Sequence, residues 1–276
     1  MSEGVSFARQ SALVDRALSA MKEEPRTTTA LAREVFGLLQ APPGLAARLV
    51  YELLGNDRRA NVDAQGVWRL GDAVTRPSSR SLSELRYAVV DVETTGGAPG
   101  AGGRVIEIAI VDVANGQVMD EFVSLIDPGC GVPRFISRLT GITDPMLRGA
   151  PRFSELSDEI QRRLEGRVFV AHNATFDWRF VSEEMRRARA VAPTGPQLCT
   201  VHLVRRTLPG LRRRGLDSVA RYYDVAIEGR HRAGGDARAT AEILIRLIAD
   251  VQRRGIDEWG QLQNWLAVRP RSGGKR

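Results

Sequence analysis

The stretch VVDVETTG, residues 89–96, decides how the larger part of this 276-residue chain folds. Its valines suit a buried strand, yet Asp91 and Glu93 interrupt them. Side chains two apart along a strand project to the same face, so the two carboxylates share one spot while Val90 and Val92 fill the other face. Burying two acids side by side is expensive unless something positive lies between them. A strand end that exposes both acids to water is the plain alternative, and further acids are needed to decide.

They follow downstream. VAHNATFDWRF (170–180) places Asp177 just after a buried-looking strand and at the start of a helix, and HRAGGDARAT (231–240) places Asp236 in the first turn of a long helix. Four carboxylates from three distant segments repel strongly in a partly dry site unless two divalent cations neutralise them. Hard oxygen donors select magnesium or manganese.

Around these acids, apolar runs at 87–92, 105–112 and 117–126 predict strands, with Asn115-Gly116 as a hairpin turn. RVFVAH (167–172) predicts another strand, and helices are expected at 154–164, 177–189, 216–223 and 235–254. Strands alternating with helices imply an α/β domain with a mixed sheet.

The N-terminal part has a different pattern. Leu13, Ala17, Leu18 and Met21 lie at helical spacing within 8–22. A second helix follows RTTTA with Leu31, Val35, Phe36, Leu38 and Leu39 as its apolar face, and a third runs from Pro43 to Leu54 with Leu45, Leu49, Val50 and Leu53, ending at Gly55 in a left-handed cap. RRANVDAQGVWRL (58–70) is expected to form a hairpin turning at Gly66, which completes a winged-helix-like pattern. Such a module either binds a duplex, with Arg58, Arg59 and Arg69 near phosphate, or docks a protein. The expected organisation is a winged-helix-like domain at 1–70, a polar linker at 71–84, an α/β domain at 85–254, and a C-terminal helix with a basic tail at 255–276.

A net charge of +7, carried almost wholly by arginine because Lys22 and Lys275 are the only lysines, suits a polyanionic partner. Two cysteines, Cys130 and Cys199, give no disulfide framework, and three scattered histidines give no spaced zinc motif. No run of about 18 to 20 apolar residues is present, and the polar start MSEGVSFARQ lacks the apolar core of a signal peptide, so a cytoplasmic protein without membrane contact is expected.

DVETTG (91–96), HNATFD (172–177) and HRAGGD (231–236) resemble the three exonuclease motifs of the DEDDh branch of DnaQ-like 3′-5′ exonucleases, the family of the proofreading epsilon subunit of bacterial DNA polymerase III. FISRLTGIT (135–143), LCT (198–200) and LDSVARYYDV (216–225) resemble it too, and the likeness spans about residues 85–252. It implies a ribonuclease-H-like fold in which Asp91, Glu93, Asp177 and Asp236 hold two Mg²⁺ or Mn²⁺ ions, Asp91 touching both. It also implies that His231 takes the proton from the attacking water, for which an imidazole's ordinary pKa of about 6.5 is suited. The sister branch uses a tyrosine four positions before the last aspartate, where this chain has Arg232. By the same resemblance Thr94, Thr95 and Gly96 border the terminal nucleotide, Leu139 and Phe176 pack its base or sugar, and His172 lines the pocket.

The activity implied is release of nucleoside 5′-monophosphates from a 3′ end, on DNA, in proofreading or repair. An RNA-trimming relative and a non-catalytic nucleic-acid-binding regulator are the rival readings. A DNA polymerase and a sliding clamp are the candidate protein partners. For the clamp, QLQNWL (261–266) resembles clamp-binding peptides, while Trp259, Leu262 and Leu266 equally fit a packing helix. The loop GGAPGAGG (96–103) lacks the Lys-Ser or Lys-Thr of a phosphate cradle and reads as a flexible loop. The arginine runs at 186–189 and 205–214 are either a nucleic-acid track or solvated helix faces.

Overall fold

The computed structural model describes residues 13–14, 16–22, 24–38, 43–55, 60–63, 66–70 and 80–267. The chain divides into two compact units, Met1–Arg76 and Pro77–Arg276. The expected Leu39, Arg58 and Arg59 positions, linker residues 71–79 and tail residues 268–276 lie outside the described residues.

In the first unit, helical residues at 13–14 and 16–20 (α1) precede β1 (Arg26–Thr27), α2 (Thr28–Phe36), α3 (Pro43–Leu54), β2 (Ala60–Val62) and β3 (Val67–Leu70). The threonine cluster starts α2 as its chemistry demands, because the Thr27 hydroxyl accepts the Ala30 N–H at 3.2 Å. Gly37, at φ 71°, ends it, leaving Leu38 past the helix. Strands β1, β3 and β2 form an antiparallel sheet whose fully buried Trp68 gives its indole N–H to Thr28 Oγ1 at 2.9 Å. Two further expectations fail here. Gly55 does not adopt the left-handed conformation; its N–H continues the helical ladder to the Tyr51 carbonyl at 2.8 Å. Leu45, expected on the buried face of α3, is exposed.

The second unit is built on a five-stranded mixed sheet flanked by helices, the ribonuclease-H-like α/β fold. Its strands are β4 (Tyr87–Thr94), β5 (Val105–Ala114), β6 (Gln117–Leu125), β7 (Val168–Ala171) and β8 (Gln197–Cys199), in the order β6-β5-β4-β7-β8. The β5-β6 hairpin turns at Asn115 and Gly116, both at positive φ, as that dipeptide predicts. β4 and β7 pair in parallel only over Tyr87–Val89, so the second half of β4 projects past the end of β7.

The helices of this unit among the described residues are α4 (Arg134–Thr140), α5 (Asp144–Leu147), α6 (Phe153–Leu164), α7 (Ala174–Arg189), α8 (Thr200–Thr207), α9 (Leu216–Tyr223), α10 (Ala233–Gln252) and α11 (Trp259–Ala267). Val90 and Val92 join the core beneath α6 and α7, whereas Tyr87 and Val89 join the core that holds α8, α9, α10 and α11. A bulge at the Glu93/Thr94 register step leaves Ile106 as the extra residue of β5. Ile106 enters a small separate cluster with Val132, Ile136, Ile142 and Leu147, which seats α4 and α5 against the start of β5.

The linker does not extend to residue 84. Leu82 is fully buried, its N–H reaches the Asp257 carbonyl at 2.7 Å, and its carbonyl accepts the Tyr87 hydroxyl at 2.7 Å. Apolar burial thus draws the segment from 80 onward into the second unit. Trp259 and Leu262 are likewise buried in that core, so their side chains are committed to packing rather than presented to a clamp. Among the described residues no helix is long and apolar enough to cross a membrane.

Candidate active site

The acids meet where β4 outruns β7. Asp91, Glu93 and Asp236 each place a carboxylate oxygen within 4.8 Å of the others. The strand's two-residue period puts the first two on the face toward α10, and the first turn of α10 supplies the third. Asp177, in the first turn of α7, stands beside this group rather than in it; its Oδ1 accepts the Val92 N–H at 3.2 Å.

The electrostatics are those of a crowded, partly dry acid cluster. Burial pushes the Asp91 carboxyl well above the ordinary range, and the charges of Asp177, Asp236 and Glu93 push it further. Glu93 is raised to about 8 by burial, then by Asp236 and Glu107. Asp177 is raised to about 7, chiefly by burial, and Asp236 is raised for the same reason despite Arg230 beside it. Asp236 is only 3% exposed, and its Oδ1 has no hydrogen-bond partner among the described residues. Hard oxygen donors that repel one another, with one buried oxygen left unpaired, fit a divalent cation.

The backbone around Asp236 depends on two glycines, and not as a turn. Ala233, Gly234 and Gly235 are already helical. A Cβ on Gly235 would lie 1.6 Å from the Glu228 carbonyl oxygen, and one on Gly234 would lie 3.2 Å from Val123. The missing side chain of Gly234 leaves room for Val123 of β6, and that of Gly235 lets the 228–232 segment fold down on α10. That segment carries His231 at φ 64°, with its N–H on Asp236 Oδ2 at 3.2 Å and its ring half-buried.

Residues 88–244 match the family described as Exonuclease, which is more than half of the chain. The chain belongs to the exonuclease family. It is 34% identical over 172 residues to the 3′-5′ exonuclease DinG of Bacillus subtilis (strain 168), covering 62% of this chain and 18% of that protein. It is 35% identical over 186 residues to the PolC-type DNA polymerase III of Streptococcus thermophilus, covering 67% of this chain and 13% of that one. The chain therefore spans less than a fifth of the length of either relative. The fold matches Exonuclease X bound to 5′ overhanging duplex DNA (TM-score 0.50, 24% identity, 66% of this chain and 99% of that). It also matches E. coli Exonuclease I bound to a dT13 oligonucleotide (TM-score 0.54, 15% identity, 62% and 43%).

Other residues of this exonuclease domain that the sequence singled out lie around the acids in varied roles. Thr94 Oγ1 accepts the Gly96 N–H at 3.1 Å and Thr95 Oγ1 accepts the Arg104 N–H at 3.0 Å, so both hydroxyls fold the loop after β4. Gly96, at φ 84°, allows α4 to close in, since a Cβ there would lie 3.3 Å from the Phe135 ring. Leu139 and Phe176 are exposed, at 51% and 41%, which ordinary core packing would not leave them. Phe176 lines a cleft of about 260 Å³ with Phe180, Pro99, Asn173 and Arg179.

His172 does not present a free ring. Its Nδ1 meets Thr200 Oγ1 at 2.8 Å and its Nε2 meets the Arg214 carbonyl at 2.9 Å, while burial holds its pKa below the ordinary value. A neutral ring facing a carbonyl through Nε2 carries its proton there, which leaves Nδ1 as an acceptor beside a Thr200 hydroxyl that also lies 3.3 Å from the Ala171 carbonyl. His172 ties the 208–215 loop to the start of α8.

The loop 96–103 is also more ordered than its glycines suggest. Gly103 N–H bonds the Ala98 carbonyl at 3.0 Å, and Arg187 Nη2 holds the Pro99 carbonyl at 2.7 Å. The arginines of 186–189 are largely committed: Arg186 and Arg187 pair with Glu183, and Arg189 with Asp158. In the 205–214 run, Arg205, Arg212 and Arg213 are exposed without a carboxylate partner among the described residues.

Three contributors were not singled out from sequence. Phe135 is 59% exposed beside Gly96. Glu107, opposite Glu93 across the β4-β5 ladder and fully buried, takes Arg232 Nη2 at 2.6 Å and the Ala233 N–H at 2.8 Å, pinning the start of α10. Arg230 bridges Asp236 and Asp217. The signal available for Glu107 was a lone acid within an otherwise apolar strand, VIEIAIV.

Proposed function

We propose that this chain is a metal-dependent 3′-5′ exonuclease that releases nucleoside 5′-monophosphates from nucleic acid, with DNA as the substrate and proofreading or repair as the setting. The observation that carries this reading is the convergence of Asp91, Glu93 and Asp236 within 4.8 Å, with a buried Asp236 oxygen left unpaired. Asp91, Glu93 and Asp236, with Asp177 at their side, are read as the ligands of two Mg²⁺ or Mn²⁺ ions. Such ions polarise a phosphodiester, lower the pKa of bound water and stabilise a departing oxygen.

The remaining steps fall to the chain's own groups. His231, beside the acids and half-buried, is read as the base that takes the water's proton at the ring nitrogen not facing Arg230. Exposed Leu139, Phe176 and Phe135 offer apolar surface for the terminal base, a mode that accepts any base. Arg205, Arg212 and Arg213 offer charge for the strand's backbone. The first unit, with its order of helix, strand, two helices and hairpin, is read as a separate winged-helix-like module.

The test is a product assay on matched single-stranded, 3′-recessed and mismatched DNA and RNA with Mg²⁺ or Mn²⁺. Stepwise shortening from the 3′ end with 5′-monophosphates, absent in Asp91→Ala and His231→Ala proteins that still fold, is the expected result. A wild type that binds these substrates but shortens none of them with any divalent ion sinks the reading, and faster cleavage of RNA reassigns the substrate.

A further inference from the structure

Arg230 stands where the acid cluster needs a positive charge. Its Nη1 bonds Asp236 Oδ2, and its Nε holds Asp217 Oδ1 at 3.0 Å at the start of α9. Among the described ion pairs it is the one that reaches a member of the acid triad. The other nearby guanidinium, Arg232, is committed to Glu107. Asp236 thus has two unlike oxygens: Oδ1 buried and unpaired, Oδ2 taken by Arg230 and the His231 N–H.

We propose that Arg230 is a resident counter-ion of the metal site, which competes with the divalent cation for Asp236 and is displaced toward Asp217 when the cation binds. This rests on the exonuclease reading above. Two like-signed centres cannot share one carboxylate group without strong repulsion, so loading through Asp236 pushes the guanidinium outward. Asp217, itself largely exposed, is placed to retain it at the rim of the site. Arg230 directly precedes His231, and its Nη1 lies 3.4 Å from that ring's Nδ1, so displacing the arginine also removes a neighbour from the imidazole. In the metal-free protein the same arginine relieves the repulsion among the acids. It therefore stabilises the empty site and weakens the filled one.

The experiment uses the full chain stripped with EDTA, with Mn²⁺ binding followed by the electron paramagnetic resonance of the free ion, and thermal unfolding measured with and without Mn²⁺. Arg230→Gln is expected to bind Mn²⁺ about tenfold more tightly than wild type. Its melting temperature should fall in EDTA, and that deficit should close when Mn²⁺ is added. Structural damage alone would weaken binding, so the direction of the change is diagnostic. Arg230→Lys keeps a charge but loses the fork that spans both carboxylates. If Arg230→Gln does not fold, Arg230→Lys must still show tighter binding, by about threefold.

Unchanged or weaker binding in the variant that folds, or a melting deficit equal with and without Mn²⁺, overturns the counter-ion role while leaving the exonuclease reading intact. A wild type that takes up no Mn²⁺, even with a nucleoside monophosphate present, overturns both.

Discussion

At the scale of single residues, the acid cluster is a liability that a bound divalent cation would relieve. Glu93 is raised from 4.5 to about 8 and Asp177 from 3.8 to about 7, so in the metal-free protein the folded state holds protons that the unfolded chain releases. For a carboxyl raised on folding, its contribution is full below the unfolded pKa and is lost as pH rises through the folded one. The melting temperature in EDTA should accordingly fall between about pH 4.5 and 8, and saturating Mn²⁺ should flatten that slope. A metal-free protein whose stability rises across this window would contradict the arrangement. Asp91→Asn follows from the same physics: it removes an acid that folding must either protonate or leave repelling its neighbours, so the EDTA form should melt higher than wild type while activity falls by at least about a hundredfold. Scanning fluorimetry paired with the oligonucleotide assay checks both halves.

Glu107 is a different kind of residue, since it positions the helix that carries Asp236 without belonging to the acid triad. Glu107→Ala leaves the buried Ala233 N–H unpaired and Arg232 without its partner, at a cost of about 2 to 3 kcal/mol. Because Arg232 is partly exposed, water offsets some of its loss. Urea unfolding measures this directly.

At the scale of elements, the decisive features are the projecting half of β4 and the glycine-permitted contact over α10. Gly235→Ala would bring a methyl carbon into the Glu228 carbonyl, so the 228–232 segment must lift away, carrying His231 with it. A loss of about 2 to 3 kcal/mol and of most activity is expected, against a far smaller effect for Gly234→Ala, whose neighbour is a Val123 side chain that can adjust. Comparing the two variants in urea unfolding and in the nuclease assay separates close approach from helix propensity, which would penalise neither.

At the scale of the whole molecule, the second unit closes on itself at both ends. Leu82 and the α11 residues Trp259 and Leu262 are buried in one core, and the Leu82 N–H ties to the Asp257 carbonyl. A fragment of residues 77–276 should fold, whereas one beginning at residue 86 should unfold at markedly lower urea. Leu262→Ala should cost about 2 to 5 kcal/mol in the same assay. Equal midpoints for the two fragments would show that the segment from 80 to 85 is dispensable.

The sequence by itself determined the β2-β3 hairpin, strands β4 to β7 and helices α1 to α3, α6, α7, α9 and α10, because those follow from the periods of side-chain direction and from local turn chemistry at Asn115-Gly116 and Thr27, but it did not mark β1, β8, α5 or α8. Only the tertiary structure decided which partners those side chains meet. Both ring nitrogens of His172 are taken by the protein, Glu107 holds α10, Arg230 counters Asp236, and the paired glycines of 234–235 allow a close approach rather than a turn. Each of these depends on distances between segments tens of residues apart, and periodicity along a chain carries no information about such distances.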